Sequence, residues 1–481
     1  MNFKMMGRFV SLILLVEAAF MLPALILGLC FGEWMAVQGF TVAILAAVLL
    51  SLLLRRLCKG APSAFYAKEG LVCVGFSWIV LSLFGCLPFW ISREIPSFVD
   101  AFFEIVSGFT TTGASIVPEV ESLSRSILYW RCFSNWLGGM GVLVFLLAFT
   151  GEKGSGFTMH LLRAESPGPN VGKLVPKMRK TASILYLIYV GLTLINIIFL
   201  LCGGMDLFES VCHAFATAGT GGFGVRNDSF GSYSPYLQVV TTVFMILFGI
   251  NFSCFYLLLL RQFKGVFRDE ELRLYLGVIV VAILIITLNI RSLYGSWGET
   301  IRHAAFQVGS IISSTGFATT DFDLWPSLSK TVLLCLMIIG ACAGSTGGGL
   351  KVARLLLIFK SLQRNVRQTL NPRKVQAVRN NDQVVTQKVL DNTHAYLAAY
   401  VIILFVSFML VSMDNQSIAT NFTAVLTCFN NIGPGLEAVG PASNFASYGV
   451  VSKLVLCLDM LLGRLEIFPI LVLFSRSTWR R

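Results

Sequence analysis

Long apolar runs alternate along the chain with short, polar, glycine-bearing stretches. Runs of about 20 residues recur, the length a helix needs to cross a bilayer core of about 30 Å. The pattern predicts ten spans, at roughly 9–30, 36–54, 71–92, 126–150, 182–203, 237–260, 272–290, 328–362, 393–413 and 448–474. From the third span onward a second kind of element intervenes, a short amphipathic piece of about 10–14 residues, too short to span and too apolar for a loop. These pieces begin at Pro96-Ser97, with Ser97 a candidate N-cap, at Asp206, at Trp297 and near Asn415. Re-entrant half-helices fit them best, because irregular backbone at membrane depth survives only where it is buried or lines water.

Each half-helix runs into a turn of one kind. The four read Ser107-Gly-Phe-Thr-Thr-Thr-Gly113, Ala216-Thr-Ala-Gly-Thr-Gly-Gly222, Ser310-Ile-Ile-Ser-Ser-Thr-Gly316 and Thr427-Cys-Phe-Asn-Asn-Ile-Gly433. A small residue opens every copy and glycine closes it six positions later. The closing glycines lie 109, 94 and 117 residues apart, too far for a solenoid and right for one span–half-helix–turn–span unit. The expected fold is an all-α polytopic membrane protein. Two leading helices (1–60) precede four pseudo-repeated units (61–160, 161–265, 266–385 and 386–481) around a central pore.

Composition agrees with a membrane protein: 56% of residues are hydrophobic, 13% are charged and mean hydropathy is +0.76. The net charge of +12 reads as topology rather than as a nucleic-acid surface, because it is spread over short loops. With both termini in the cytoplasm, the inward segments hold 28 of the 37 Lys and Arg, as the positive-inside rule requires. A basic inner face also suits anionic lipid or an acidic partner. The basic start followed by an apolar run resembles a signal peptide, but no small-residue cleavage site closes it and Glu17 interrupts it, so it reads as a retained first span. Twelve cysteines without a Cys-x-x-Cys pair read as small hydrophobes. Four scattered histidines show no ligand spacing.

The chemistry therefore falls to the turns. Glycine at the end of each permits positive φ and removes a side chain where four walls of backbone crowd together. The residues before it, Thr111 and Thr112, Thr220 and Gly221, Ser314 and Thr315, Asn431 and Ile432, would offer carbonyl oxygens to a cation in place of water. Gly113, Gly222, Gly316 and Gly433 complete that candidate set. Half-helices ending at the cavity add a partial negative charge of roughly 0.5 each. Glu104, His213 and Gln307 share one position, nine before the glycine, and read as polar tethers behind the half-helices.

Two further features lie between the turns. The apolar segment from Leu328 to Leu362 is too long for one crossing and is broken by Gly344, Ser345, Thr346, Gly347, Gly348 and Gly349. A small-residue coil at that depth would lie under the turns as a gate; the alternative is a helix contact or a kink. Arg464 is a charge inside the last span, which should face protein or water. It either raises an electrostatic barrier in the pore or pairs with Asp459 or Glu466. Two soluble motifs fail on context: Gly219–Gly224 spells G-x-G-x-x-G without a preceding strand, and Gly344–Lys351 resembles a phosphate loop with Leu350 out of place.

These motifs resemble those of the Trk/Ktr/HKT superfamily of potassium transporters, specifically its bacterial Trk-type uptake subunit. The likeness is carried by Gly108-Phe-Thr-Thr-Thr-Gly-Ala114, Asn430-Asn-Ile-Gly-Pro-Gly435, Gly344–Lys351 and Gly463-Arg-Leu-Glu466. It implies a potassium filter ending in the four glycines, an intramembrane gating loop at 341–349 and a cavity arginine at Arg464. It also implies a homodimer in the bacterial inner membrane, regulated by a separate cytosolic partner with nucleotide-binding domains. Potassium is then cargo, with no resident cofactor expected. Competing readings are a sodium- or proton-coupled potassium symporter of this fold and a secondary transporter for a small organic solute. Four matched turns favour a pore over the latter. A membrane enzyme is disfavoured, since no acid–base or nucleophile constellation falls within the spans.

Overall fold

The computed structural model describes residues 2–60, 67–141, 178–373, 376–381 and 383–479. The chain is mostly helical; among the described residues the small exception is a two-stranded antiparallel pairing of Arg379–Asn380 with Gln383–Val384. Among the described residues, six helices are long and apolar enough to cross a membrane, or seven if the bent pair Pro235–Phe248 and Phe252–Leu259 counts as one span.

Helices Phe3–Phe31 and Trp34–Leu57 form the leading hairpin, turned by Gly32 at φ +71°. Glu33 at that turn accepts hydrogen bonds from the main-chain N–H groups of Arg125 and Ser126, tying the hairpin to the first repeat. Helix Ala67–Gly85, continued by Leu87–Ile91, leads into that repeat, and helices Met178–Cys202, Glu270–Ile290 and Gln387–Val411 lead into the others.

The four half-helices are Phe98–Phe109, Leu207–Gly219, Trp297–Ile312 and Ile418–Phe429. Each starts at a side-chain cap. Ser97, Asp206, Ser296 and Ser417 accept from the N–H groups of Asp100, Phe208, Glu299 and Thr420. Such caps satisfy a donor that the helix start leaves open, and each is worth about 1 kcal/mol.

After each turn the chain returns through a short helix: Arg125–Gly139, Pro235–Phe248, Ser327–Ile339 and Val450–Arg464. Here the structure corrects the expected spans. The span foreseen at 237–260 is two helices interrupted at Gly249–Asn251, the run at 328–362 is broken at Gly340–Lys351 as its small residues predict, and the span foreseen at 448–474 is two helices interrupted at Leu465–Ile467. The first bends by 92°. The last is broken by positive φ at Glu466 and Ile467, just before Pro469. Beyond the break at Gly340–Lys351, helix Val352–Leu370 carries Arg354, Lys360, Arg364 and Arg367 and lacks the apolar character of a crossing. In the span foreseen at 126–150 the helix stops at Gly139, and residues 142–150 lie outside the described residues, as does the expected unit boundary at 160/161.

Candidate functional site

Each half-helix ends in the same hydrogen-bonded turn. The N–H groups of Thr111, Thr220, Ser314 and Asn431 reach back three residues, to the carbonyls of Gly108, Thr217, Ile311 and Cys428. Those of Thr112, Gly221, Thr315 and Ile432 reach back five, to Ser107, Ala216, Ser310 and Thr427, at 2.8–2.9 Å. This is the Schellman pattern, which needs left-handed backbone at its first residue. Thr111, Thr220, Ser314 and Asn431 supply it at φ +56°, +54°, +60° and +55°. Two residues on, Gly113, Gly222, Gly316 and Gly433 are again at positive φ, from +69° to +98°, while the residue between is not.

The turns close into a ring. A Cβ built on Gly113 would meet the carbonyl oxygen of Gly221; one on Gly222, that of Thr315; one on Gly316, that of Ile432. One on Gly433 would lie 2.8 Å from the carbonyl oxygen of Thr112. Each glycine therefore abuts main chain from the next turn in order, and the fourth returns to the first. Only glycine permits this approach. Thr111, Thr112, Thr220, Ser314, Thr315, Asn431 and Ile432 are all fully buried.

The half-helices are fixed from behind. Glu104 accepts from Ser115 Oγ at 3.0 Å, from the N–H of Ile116 at 2.9 Å and from Arg131 Nε at 2.5 Å. Arg131 in turn donates to the Gly224 carbonyl at 3.0 Å, so one buried ion pair holds the strands leaving turns one and two. His213 Nε2 lies 3.0 Å from Tyr233 Oη, and Gln307 donates to the Phe317 carbonyl at 3.5 Å. The expected tethers are thus in place in three units, with Ala424 at the equivalent position of the fourth.

Against the opposite side of the ring lies the loop 340–351. Gly340 and Lys351 bound it at φ +70° and +74°. It is held by many hydrogen bonds: Cys342 N–H to the Gly249 carbonyl (3.0 Å), Phe252 N–H to that of Gly344 (3.0 Å), and Thr346 Oγ1 to that of Phe248 (3.2 Å). Glu271 accepts from Ala343 N–H at 2.5 Å and Lys351 Nζ donates to the Gly347 carbonyl. Ser345 Oγ bonds the Cys342 carbonyl at 2.6 Å, and Gly349 packs on Gly340. A direct link to the ring is Gly348 N–H to Ser314 Oγ, 2.5 Å. Cβ atoms at Gly347 and Gly348 would strike the carbonyls of Ser313 and Asn430, so the loop touches the ends of the third and fourth half-helices.

Arg464 joins these parts. Its guanidinium donates to Thr111 Oγ1 at 3.1 Å, to the Thr346 carbonyl at 2.8 Å and to the carbonyls of Gly139 (2.6 Å) and Gly138. The ion-pair alternative found other partners for the acids: Glu466 pairs with Arg354, and Asp459 accepts from Ser407 at 2.6 Å.

The family model for a cation transport protein, TrkH, matches residues 36–480. The chain belongs to the TrkH family. It is 36% identical, over the whole of both chains, to the Trk system potassium uptake protein TrkH of Escherichia coli K12. It is 34% identical, again over both whole chains, to the protein of the same name from Halomonas elongata. The crystal structure of the potassium transporter TrkH from Vibrio parahaemolyticus superposes with a TM-score of 0.89 at 30% identity, each chain covered in full.

All nineteen residues singled out from the sequence fall in this one assembly of ring, loop and arginine. Several members of it were missed. Arg131 is an intramembrane charge by the same reasoning that picked out Arg464. Gly138 and Gly139 end helix Arg125–Gly139, and Gly249 opens the break in the second return helix, as Gly344–Gly349 interrupt the third. Asn135, which packs against Gly221, Asn251, which packs against Gly344, and Glu271 had no distinctive signal.

Proposed function

We propose that the chain conducts potassium into the cell across the bacterial inner membrane, as the ion-conducting subunit of a Trk-type system. The observation that carries this reading is the closed ring of four equivalent turns, each abutting the main chain of the next. Carbonyl oxygens of Thr111–Gly113, Thr220–Gly222, Ser314–Gly316 and Asn431–Gly433 would replace the hydration shell of the ion. The names of the relatives supply the ion. Loop Gly344–Gly349 and Arg464 lie directly against the ring and form the gate, the arginine adding a barrier to cations. In this reading the broken return helices count as spans, giving ten, arranged as units 61–160, 161–265, 266–385 and 386–481 after the leading pair. Both termini are cytoplasmic, and the basic inner loops face a cytosolic nucleotide-binding regulator and anionic lipid. The subunit works as a homodimer, and potassium is cargo rather than a cofactor.

Rubidium uptake into liposomes holding the purified protein tests the reading. Uptake driven by membrane potential alone is expected. Uptake that requires a sodium or proton gradient would make the protein a coupled symporter instead, and no uptake of rubidium would remove the reading.

A further inference from the structure

The second turn is built differently from its neighbours. At the residue before the closing glycine, turns one and three carry Thr112 and Thr315, whose hydroxyls bond those of Thr110 and Ser313 at 2.8 and 2.7 Å. Turn four carries a fully buried Ile432 there. Turn two has glycine at both corresponding places, Gly219 and Gly221, so no such hydroxyl pair spans it; its Thr220 hydroxyl bonds only the adjacent Gly219 carbonyl among the described residues, in backbone that the proposed filter needs in one conformation.

The space is filled from the neighbouring unit. Helix Arg125–Gly139 packs closely on this turn: a Cβ on Gly139 would lie 2.7 Å from the Gly219 Cα, and one on Gly219 would strike the Asn135 carbonyl. At Gly221 a Cβ would sit on the Asn135 carboxamide, against its Cγ, 2.5 Å from Nδ2 and 2.7 Å from Oδ1. The carboxamide occupies the place of the missing side chain. It is fully buried, and neither Oδ1 nor Nδ2 has a hydrogen-bond partner among the described residues. An unpaired buried amide costs about 1–3 kcal/mol, so a hydrophobic filler would be cheaper if packing were its sole purpose. One turn earlier on the same helix face, Arg131 holds the Gly224 carbonyl and stacks over Phe223, 4.0 Å from the ring centroid.

We infer that Asn135 is a positioning residue for ion selectivity, setting the carbonyls of the glycine-rich second turn from behind. The inference rests on the ring being the selectivity filter, and the test separates the two. Rubidium and sodium fluxes are measured in liposomes for Asn135→Ala, Gly221→Ala, the double variant and Gly113→Ser, with melting temperature followed in parallel. Asn135→Ala is expected to lower the rubidium-to-sodium ratio roughly tenfold and to raise KM for rubidium more than it lowers maximal flux. Gly221 is not at positive φ, and the three atoms nearest an added Cβ all belong to the Asn135 carboxamide. Gly221→Ala should therefore lose selectivity by itself and regain it in the double variant at unchanged melting temperature, which an effect through overall stability would not produce. Should Asn135→Ala fail to assemble, Asn135→Ser, which keeps a hydroxyl, is expected to lose part of the ratio. A normal ratio in either Asn135 variant, while Gly113→Ser loses it, overturns the inference alone. A normal ratio in Gly113→Ser removes the filter reading and this inference with it.

Discussion

Gly113→Ser isolates the ring. Gly113 is at φ +78°, so any side chain there carries left-handed strain of about 1–2 kcal/mol. The larger effect is steric. The new Cβ lands on the Gly221 carbonyl oxygen, which is main chain and cannot rotate aside. To restore ordinary contact that oxygen must retreat by about 1 Å, which moves one ligand of the proposed filter out of register. Misplacement on this scale can cost of the order of 100-fold where geometry is decisive. A fall of ten- to 100-fold in the rubidium-to-sodium flux ratio, about 1.4–2.8 kcal/mol, is therefore expected. Gly32→Ser provides the control: Gly32 has nearly the same φ, +71°, with nothing within 4 Å of the added Cβ. It suffers the strain without the collision and should keep the wild-type ratio. Both variants are purified, checked for melting temperature and assayed in liposomes. If Gly113→Ser matches Gly32→Ser in selectivity, the ring of carbonyls is not what discriminates between ions.

Three other perturbations follow from the same geometry. Glu104→Gln leaves Arg131 charged and buried, so stability should fall by about 3–5 kcal/mol, and adding Arg131→Met should recover part of it in a thermal-melting double-mutant cycle. Equal melting of Glu104→Gln and wild type would remove the pair from the scaffold. Deleting Gly344–Gly349 should raise rubidium flux in liposomes; a folded but inactive protein would make the loop structural rather than obstructive. Arg464→Gln removes the positive charge beside the ring and should raise basal flux, whereas unchanged flux would make its bridging of Thr111, Thr346, Gly138 and Gly139 structural.

How far the chain could be read beforehand depended on whether the signal was local. Half-helices were legible because a cap, an amphipathic stretch and a closing glycine lie within about 16 residues of one another, as from Ser97 to Gly113. The ring was legible only through repetition, since no single turn shows that four converge. The breaks in the return helices were legible in the third unit, where six small residues interrupt an overlong run. They were hidden at Gly249–Asn251 and Leu465–Ile467, where three residues suffice because freed backbone groups find partners elsewhere. Gly249 illustrates this: its carbonyl accepts from Cys342, almost a hundred residues away in sequence. Glu271 was invisible for a related reason. Its position beside Asp269 and Glu270 at a helix start looks like ordinary complementation of the helix dipole, and its bond to Ala343 depends on tertiary placement.

The left-handed residues of the four turns carry one more consequence. Glycine is the usual occupant of that position, yet Thr111, Thr220, Ser314 and Asn431 all accept the strain. Three of their side chains reach beyond their own turn: Thr111 to Arg464, Ser314 to the N–H of Gly348, and Asn431 to the Met460 carbonyl at 2.9 Å. Among the described residues, Thr220 Oγ1 bonds only the adjacent Gly219 carbonyl. The strain in three turns is thus repaid by contacts to the return helix, the loop and its arginine, so turn and loop do not move independently. Ser314→Gly tests this cleanly. It relieves about 1–2 kcal/mol of backbone strain and forfeits a hydrogen bond worth about 1 kcal/mol, so overall stability should change little. The loop, however, loses its direct anchor to the ring, and basal rubidium flux should rise. Thr220→Gly relieves equivalent strain without touching the loop and should leave basal flux alone. If the two glycine variants behave identically, the hydroxyl of Ser314 does not couple the turns to the loop beneath them.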